Sequence, residues 1–166
     1  MSTRTLGKVI LRKAPYGFDE CIPMQEAAGQ SFKIGQFLKL NAGQVAVCTD
    51  AADEQFHSLA MQDASGTQGT VLKVQRLTPL HVLSMSSYHA TAATSATLIS
   101  HIGKDAPIIQ TVTANEVYID EANMNTGATS TNPFMVIGID PINEVGDVYG
   151  RYLVCLKATN CQSWTA

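Results

Sequence analysis

Four histidines and four cysteines are the residues of this sequence with the greatest capacity for chemistry. They are His57, His81, His89 and His101, and Cys21, Cys48, Cys155 and Cys161. A zinc site needs several such side chains at short, characteristic spacings, and the sequence contains no CxxC pair and no matching histidine spacing. We therefore predict no metal site, and we expect the histidines to have structural or surface roles.

Nucleophilic catalysis is also not indicated. Cys48 and Cys155 lie in apolar segments, where burial raises the pKa of a thiol and makes it inert. Ser65 lies in Asp-Ala-Ser-Gly-Thr, which lacks the GxSxG elbow and is typical of a tight turn. Neither GxGxxG nor a Gly-Lys-Ser/Thr phosphate loop occurs. We predict that the protein is not an enzyme and uses no cofactor or small-molecule substrate.

The acidic residues of two loops are the remaining candidates for ligand binding. They are Asp120, Glu121, Asp140, Glu144 and Asp147. These could approach a common calcium ion if the loops met, but they do not follow the alternate-residue spacing of an EF-hand. Solvated loop charges are the simpler interpretation.

The composition favours a protein that binds other proteins. The chain has 166 residues, of which 45% are hydrophobic and only 15% are charged, against about 25% charged in an average domain. Uncharged polar residues must therefore cover much of the surface. The net charge of −3 argues against nucleic-acid binding, which requires a basic field.

The cysteines and the hydropathy pattern bear on the cellular compartment. Four widely and irregularly spaced cysteines favour buried, reduced thiols over a disulfide framework. No long apolar run suggests a secretory signal or a membrane span. We expect synthesis in a reducing cytoplasm and no membrane association.

Short strands and turns account for most of the sequence. Strand signals begin at residues 31–34 and continue into a β-hairpin, in which residues 36–40 and 44–48 flank the loop Asn41-Ala42-Gly43. Residues 55–61 fit a strand or a helical turn, and Pro79 indicates a sheet edge, a bulge or a corner between sheets. The further predicted strands are residues 69–77, 80–85, 108–113, 116–119, 133–139 and 151–156, whereas residues 88–100, 120–132 and 143–150 are expected to be loops.

This pattern predicts a mainly β fold, an antiparallel β-sandwich or small β-barrel with an extended N-terminal arm. We assign residues 1–20 to the arm and residues 21–166 to a single β-rich domain. The first 14 residues hold four of the eleven basic residues and no acid. The rest of the chain therefore carries seven basic against fourteen acidic residues, a net charge of −7.

The N-terminal segment is the main candidate for partner binding. It combines basic and apolar side chains: Arg4, Lys8, Val9, Ile10, Leu11, Arg12, Lys13, Tyr16 and Phe18. Such a segment can lie across a partner by strand addition and pair its charges with acidic residues there. The alternative is an ordinary first strand of the same sheet, with its basic side chains in water.

The order of several segments resembles that of head decoration, or cement, proteins of tailed bacteriophages. The segments are residues 32–45 (FKIGQFLKLNAGQV), residues 59–67 (LAMQDASGT), and the turn 141–149 followed by residues 150–154 (GRYLV). The likeness extends over about residues 28–157 and lies in order and texture, without a diagnostic motif.

The resemblance implies a protein that binds the outer surface of an assembled phage head and clamps neighbouring subunits of the major capsid protein. It also implies a homotrimer, made in the host cytoplasm and located on the virion. The alternative is a carbohydrate- or receptor-binding β-sandwich module of a virion fibre or an adhesin. That alternative favours exposed aromatic side chains, and aromatic residues make up only 7% of this chain.

Overall fold

Two β-sheets form the described part of the molecule. The computed structural model describes residues 9–13, 21–48, 55–88, 99–111, 116–125, 131–141 and 150–162, with Lys13 and Tyr88 described in their backbone only. Within these ranges the strands are β1 (Ile10–Lys13), β2 (Cys21–Gln25), β3 (Phe37–Asn41), β4 (Gln44–Val47), β5 (Ser58–Ala60), β6 (Val71–Arg76), β7 (Val82–Tyr88), β8 (Asp105–Ala106), β9 (Ile108–Thr111), β10 (Glu116–Asp120), β11 (Phe134–Ile139) and β12 (Arg151–Leu156). Short 3-10 turns follow at Glu121–Asn123 and Ala158–Asn160. None of the helices in these ranges has the length and apolar character to cross a bilayer.

The larger sheet has seven strands in the order β8-β11-β12-β7-β10-β9, and β1 pairs with β7 beside this path. β1 pairs with the first half of β7 and β10 with its second half. The β7–β10 pair is parallel, whereas the other described pairs in this sheet are antiparallel.

The smaller sheet has five antiparallel strands in the order β2-β6-β5-β3-β4. A parallel bridge between Glu26 and Val45 brings its two edges together at one end, but the sheet does not close into a barrel. The predicted β-sandwich is therefore confirmed. The chain does not form the small β-barrel that was the alternative prediction.

Each sheet contributes to a core between them, and the smaller sheet has a second core of its own. The rings of Phe37, Phe56 and Phe134 form the centre of the first core, with centroids 5.1 to 5.3 Å apart. Alternate residues of β11 and β12 face this core, as their burial patterns show. The second core lies on the opposite face of the smaller sheet, so that this sheet is buried on both sides.

The predicted hairpin is confirmed, and its turn is tighter than the sequence suggested. Asn41 pairs with Gln44, so the connection is the two residues Ala42 and Gly43. Both have positive φ, 49° and 80°, as a type I′ turn requires.

Other sequence predictions are resolved in the same way. Residues 55–61 contain a strand, β5, rather than a helical turn, and Pro79 lies at a corner because β6 and β7 belong to different sheets. The strand predicted at residues 31–34 is wrong. Phe32 is instead fully buried in the second core, and this insertion takes the chain out of the sheet until β3.

Glutamine side chains from distant parts of the chain bond to the backbone of β3. The Gln110 amide on β9 accepts from Phe37 N–H at 2.7 Å and donates to the carbonyls of Phe37 and Cys48 at 3.1 and 3.0 Å. Gln162 makes a similar pair of hydrogen bonds with the backbone of Leu40. These amides pair with strand backbone groups, among them the buried N–H of Phe37, which donates to Gln110 Oε1.

The buried amide of Gln110 gives a direct test of this junction. We expect Gln110→Leu to lower the free energy of unfolding by about 1–3 kcal/mol, because the buried Phe37 N–H loses its acceptor and a buried backbone group without a partner costs about that much. Urea denaturation measures the change, and Gln68→Leu at an exposed position is the control. A loss equal to that of the control would contradict the role assigned to Gln110.

Candidate interaction surface

The N-terminal residues that the structure describes form part of the larger sheet. Ile10 and Leu11 pair with Ser84 and Leu83 of β7. Val9 is 9% exposed within the core between the sheets, and Leu11 packs against the same core. Residues 9–13 therefore follow the second sequence interpretation, an integral strand, rather than an arm separate from the body. Arg4, Lys8, Tyr16 and Phe18 lie outside the described residues.

Arg12 is engaged within its own chain. Its Nε and Nη2 donate to Asp140 Oδ2 at 3.0 and 2.8 Å, and the Asp140 side chain is fully buried. A guanidinium held in this way is not available to the acidic residues of a partner. The interpretation of this segment as a partner-binding arm required Arg12 to be available. The contact instead joins β1 to the residue that follows β11.

A second arginine lies beside this pair. Arg151 donates from Nε and Nη1 to the hydroxyls of Ser84 and Ser86 at 2.7 and 2.8 Å, and from Nη2 to the Ser84 carbonyl at 2.6 Å. Burial lowers the pKa of Arg151, whereas the charge of Asp140 raises it and that of Arg12 lowers it. These contacts fix the outward side of β7 and β12.

An apolar groove of about 280 Å³ runs between β1 and the smaller sheet. Its lining is Val9, Ile10, Leu11, Ile34, Gly35, Leu59, Ala60, Met61 and Gln75. Ile10, Ile34 and Met61 are 41%, 37% and 38% exposed. No charged side chain occurs among these described lining residues, so the groove is suited to an apolar occupant.

Buried and exposed carboxylates hold the loops beside the groove in place. Asp63 accepts from Ile34 N–H at 2.9 Å and from Lys33 Nζ at 3.1 Å. The fully buried Glu26 carboxylate accepts from the backbone of Ser65 and Gly66 at 3.0 and 2.8 Å. The wall that carries Ile34 and Met61 is thus formed before any partner binds.

The strand β1 presents a backbone edge next to this groove. Within the described ranges β1 pairs with β7 and with no other strand. An edge of this kind can accept an added strand, whose alternate side chains would enter the groove.

A polar cluster beside the start of β12 has residue types that also occur in catalytic sites. His101 Nδ1 lies 2.7 Å from the Tyr152 hydroxyl and 3.9 Å from Glu121 Oε1. Burial raises the pKa of Glu121, and hydrogen bonds from Ser87 and Tyr152 oppose the shift. Burial also raises the pKa of Tyr152. Tyr152 is fully buried, and the side chains of Glu121 and His101 are 9% and 12% exposed.

Two of the other histidines make polar contacts among the described residues. His57 is fully buried beside the Ser58 hydroxyl, and Thr78 N–H donates to His81 Nδ1 at 3.0 Å. His89 lies outside the described residues. In the part of the chain that the structure describes, no three metal-ligating side chains come together.

All four cysteines are free thiols. Cys48 is buried as predicted, and Cys155 and Cys161 are half-buried with their pKa raised by burial. Cys21 is exposed, contrary to prediction, because it begins β2 at the edge of the smaller sheet.

No family model, no curated protein and no solved structure matches this chain. The assignment of function therefore depends on the surface itself. Sequence reasoning selected Val9, Ile10 and Leu11, which line the groove, but missed Ile34 and Met61 on the facing wall. Both lie in apolar segments whose pattern gives no sign that these two side chains are exposed.

The buried His57 predicts a pH dependence of stability. Burial, with a smaller contribution from the charge of Arg76, lowers its pKa from 6.5 to about 4. The unfolded chain therefore binds the proton first as the pH falls, and this residue's contribution to stability is lost between pH 6.5 and about 4, by up to about 3 kcal/mol. We expect His57→Gln to remove this part of the slope in urea titrations. Parallel curves for the two proteins over this range would contradict it.

The raised pKa of Glu121 predicts a dependence of opposite sign. The fold disfavours the ionised carboxylate, so stability falls as the pH rises above the usual glutamate pKa of 4.5 towards the raised value. We expect the free energy of unfolding of Glu121→Gln, taken relative to that of the wild type, to increase as the pH rises above 4.5. The idea fails if the difference stays constant from pH 4 to pH 8.

Proposed function

We propose that this chain is a capsid decoration protein, which binds the outer surface of an assembled phage head and stabilises it. The groove beside β1, which pairs only with β7 within the described ranges, is the observation that carries this proposal. Its occupant would be an extended apolar segment of the major capsid protein, added as a strand to β1. The order of segments in the sequence supports the same assignment.

The chemistry of the groove fits such an occupant. Main-chain hydrogen bonds to β1 would supply affinity for any extended segment, and the apolar lining would select the side chains that enter. Because the facing wall is held by Asp63 and Glu26, little of it needs to be ordered on binding. Preorganisation of this kind lowers the entropic cost of association.

The function needs no strong individual contact. A protein that binds only the assembled shell stabilises it by mass action at every site that it occupies. A homotrimer, as the resemblance implies, would add avidity because three contacts would act together. In this proposal the protein is made in the host cytoplasm and resides on the outside of the virion.

The described surface gives less support to a carbohydrate-binding module. Its exposed large apolar side chains are all aliphatic: Ile10, Ile34, Met61, Val71, Leu80, Ile99, Ile102, Met135 and Ile137. An aliphatic side chain lacks the flat ring that stacks on a sugar face.

Charge placed in the groove tests the proposal. We expect Met61→Glu and Ile34→Glu each to weaken binding to shells by tenfold or more, about 1.4 kcal/mol, because the carboxylate would lose water without gaining a partner. Co-sedimentation with bare shells assembled from the major capsid protein measures the affinity. The thermal stability of the shells gives a second readout.

The control is Val71→Glu, which adds the same charge at a position that is 60% exposed and outside the groove. Circular dichroism verifies that the variants fold. If the folded wild-type protein binds no shell, or if the groove variants bind as well as the control, the proposal is wrong.

A further inference from the structure

One polar side chain lies in the lining of the otherwise apolar groove. Among the described lining residues it is Gln75 of β6, and the others are aliphatic residues, a methionine and a glycine. Gln75 is 1% exposed, and it pairs with Leu59 of β5 on one side and with Cys21 of β2 on the other. Leu59 lines the groove as well, so Gln75 lies in its floor. A few polar groups in an apolar pocket are what orients a ligand there.

The amide of Gln75 is less completely bonded than the other buried glutamine amides of the described residues. Gln36 and Gln110 each accept from a backbone N–H and donate to a backbone carbonyl. Gln75 Nε2 donates to the Arg76 carbonyl at 3.1 Å. The donor to Gln75 Oε1 is the Cys21 thiol, with Sγ 3.9 Å away, and a thiol is a weak donor.

The hydrogen-bonding capacity of Gln75 is therefore partly unused. A primary amide has two N–H donors and two acceptor lone pairs. The contact with Arg76 takes one N–H, and the contact with the Cys21 thiol takes one lone pair weakly. Among the described contacts, one donor and one acceptor of the amide remain. Because buried polar groups without partners cost free energy, an occupant that bonds to them is favoured over one that does not.

A neutral hydroxyl is the group that suits this amide. It donates and accepts through one oxygen, whereas an ionised carboxylate only accepts. An ammonium or guanidinium group would lose its hydration in a groove whose described lining contains no charged side chain. Serine and threonine carry the hydroxyl on a short side chain, and threonine is also enriched in strands.

We propose that Gln75 sets the register of the strand that enters the groove, by binding a serine or threonine hydroxyl among the apolar side chains of that strand. This inference rests on the proposed function, because it specifies the capsid segment that β1 would receive. Backbone pairing with β1 is the same in every register, and an apolar alternation fits again after a shift of two residues. A hydroxyl that must meet Gln75 selects one of these registers, as a single buried polar residue does in a coiled coil.

Peptides selected for binding to the groove test this preference. The probe is a display library of short random peptides, selected in parallel against the wild-type protein and against Met61→Glu. Peptides recovered with the wild type alone depend on the groove. We expect them to share a serine or threonine at one fixed place between apolar residues.

Two variants show whether Gln75 causes the preference. Selection against Gln75→Met, which keeps the length of the side chain without its amide, should lose the shared hydroxyl. Selection against Gln68→Met, the same exchange at an exposed position outside the groove, should retain it. Circular dichroism verifies that both variants fold. A hydroxyl preference that persists with Gln75→Met overturns the proposal.

A substitution in the peptide measures the contact without depending on the folding of a variant. Replacing the shared threonine by valine, or the shared serine by alanine, should weaken binding to the wild-type protein by about fivefold, the usual net effect of one neutral hydrogen bond. Fluorescence anisotropy measures the affinity. The same replacement should change the affinity for Gln75→Met by less than about twofold. Equal losses for the two proteins would refute a contact between the hydroxyl and Gln75.

The outcomes distinguish this inference from shell binding. Groove-dependent peptides that are wholly apolar, or the recovery of no groove-dependent peptide, would overturn the role of Gln75. The proposed function would still stand in either case if Met61→Glu weakens binding to bare shells. A hydroxyl preference in a protein that binds no shell would instead support the role of Gln75 in strand binding and contradict the capsid segment as the occupant.

Discussion

The position of Phe37 is the constraint on which the two-sheet arrangement depends. Its backbone is held by the Gln110 amide from the larger sheet, and its ring lies between Phe56 and Phe134. One residue therefore combines a satisfied polar junction with the centre of the apolar core. A hydrophobic contact alone would permit the sheets to slide, whereas the amide fixes their register because buried backbone groups must find partners.

This junction also determines where the groove lies. With β3 fixed against β9, the adjacent β5 and the turn at Ile34 face β1 across a gap that the core residues do not fill. The second core, with Phe32 at its centre, supports the same turn from behind. The groove thus arises because the smaller sheet packs against a core on each of its faces. The two cores hold the walls of the groove in place, so the walls have little freedom to collapse.

Local features were predictable from the sequence and long-range ones were not. The hairpin, the corner at Pro79 and the strands of the last third follow from turn residues and β-branched runs, which act over a few residues. The parallel pairing of β7 with β10 and the contact between Arg12 and Asp140 join distant segments. No spacing rule reports such contacts, and for the same reason the facing wall of the groove could not be predicted.

The Arg12–Asp140 pair has a consequence for biosynthesis. Its partners are separated by 128 positions, and the backbone of Leu40 in the smaller sheet bonds to the side chain of Gln162. The larger sheet contains β12 and cannot be complete before the ribosome has translated it, whereas the five strands of the smaller sheet lie within residues 21–76. Folding dominated by such distant pairings is slow. Of the strands made early, β1 must therefore wait for the contact with Asp140, and β7 for β12, until translation is nearly complete.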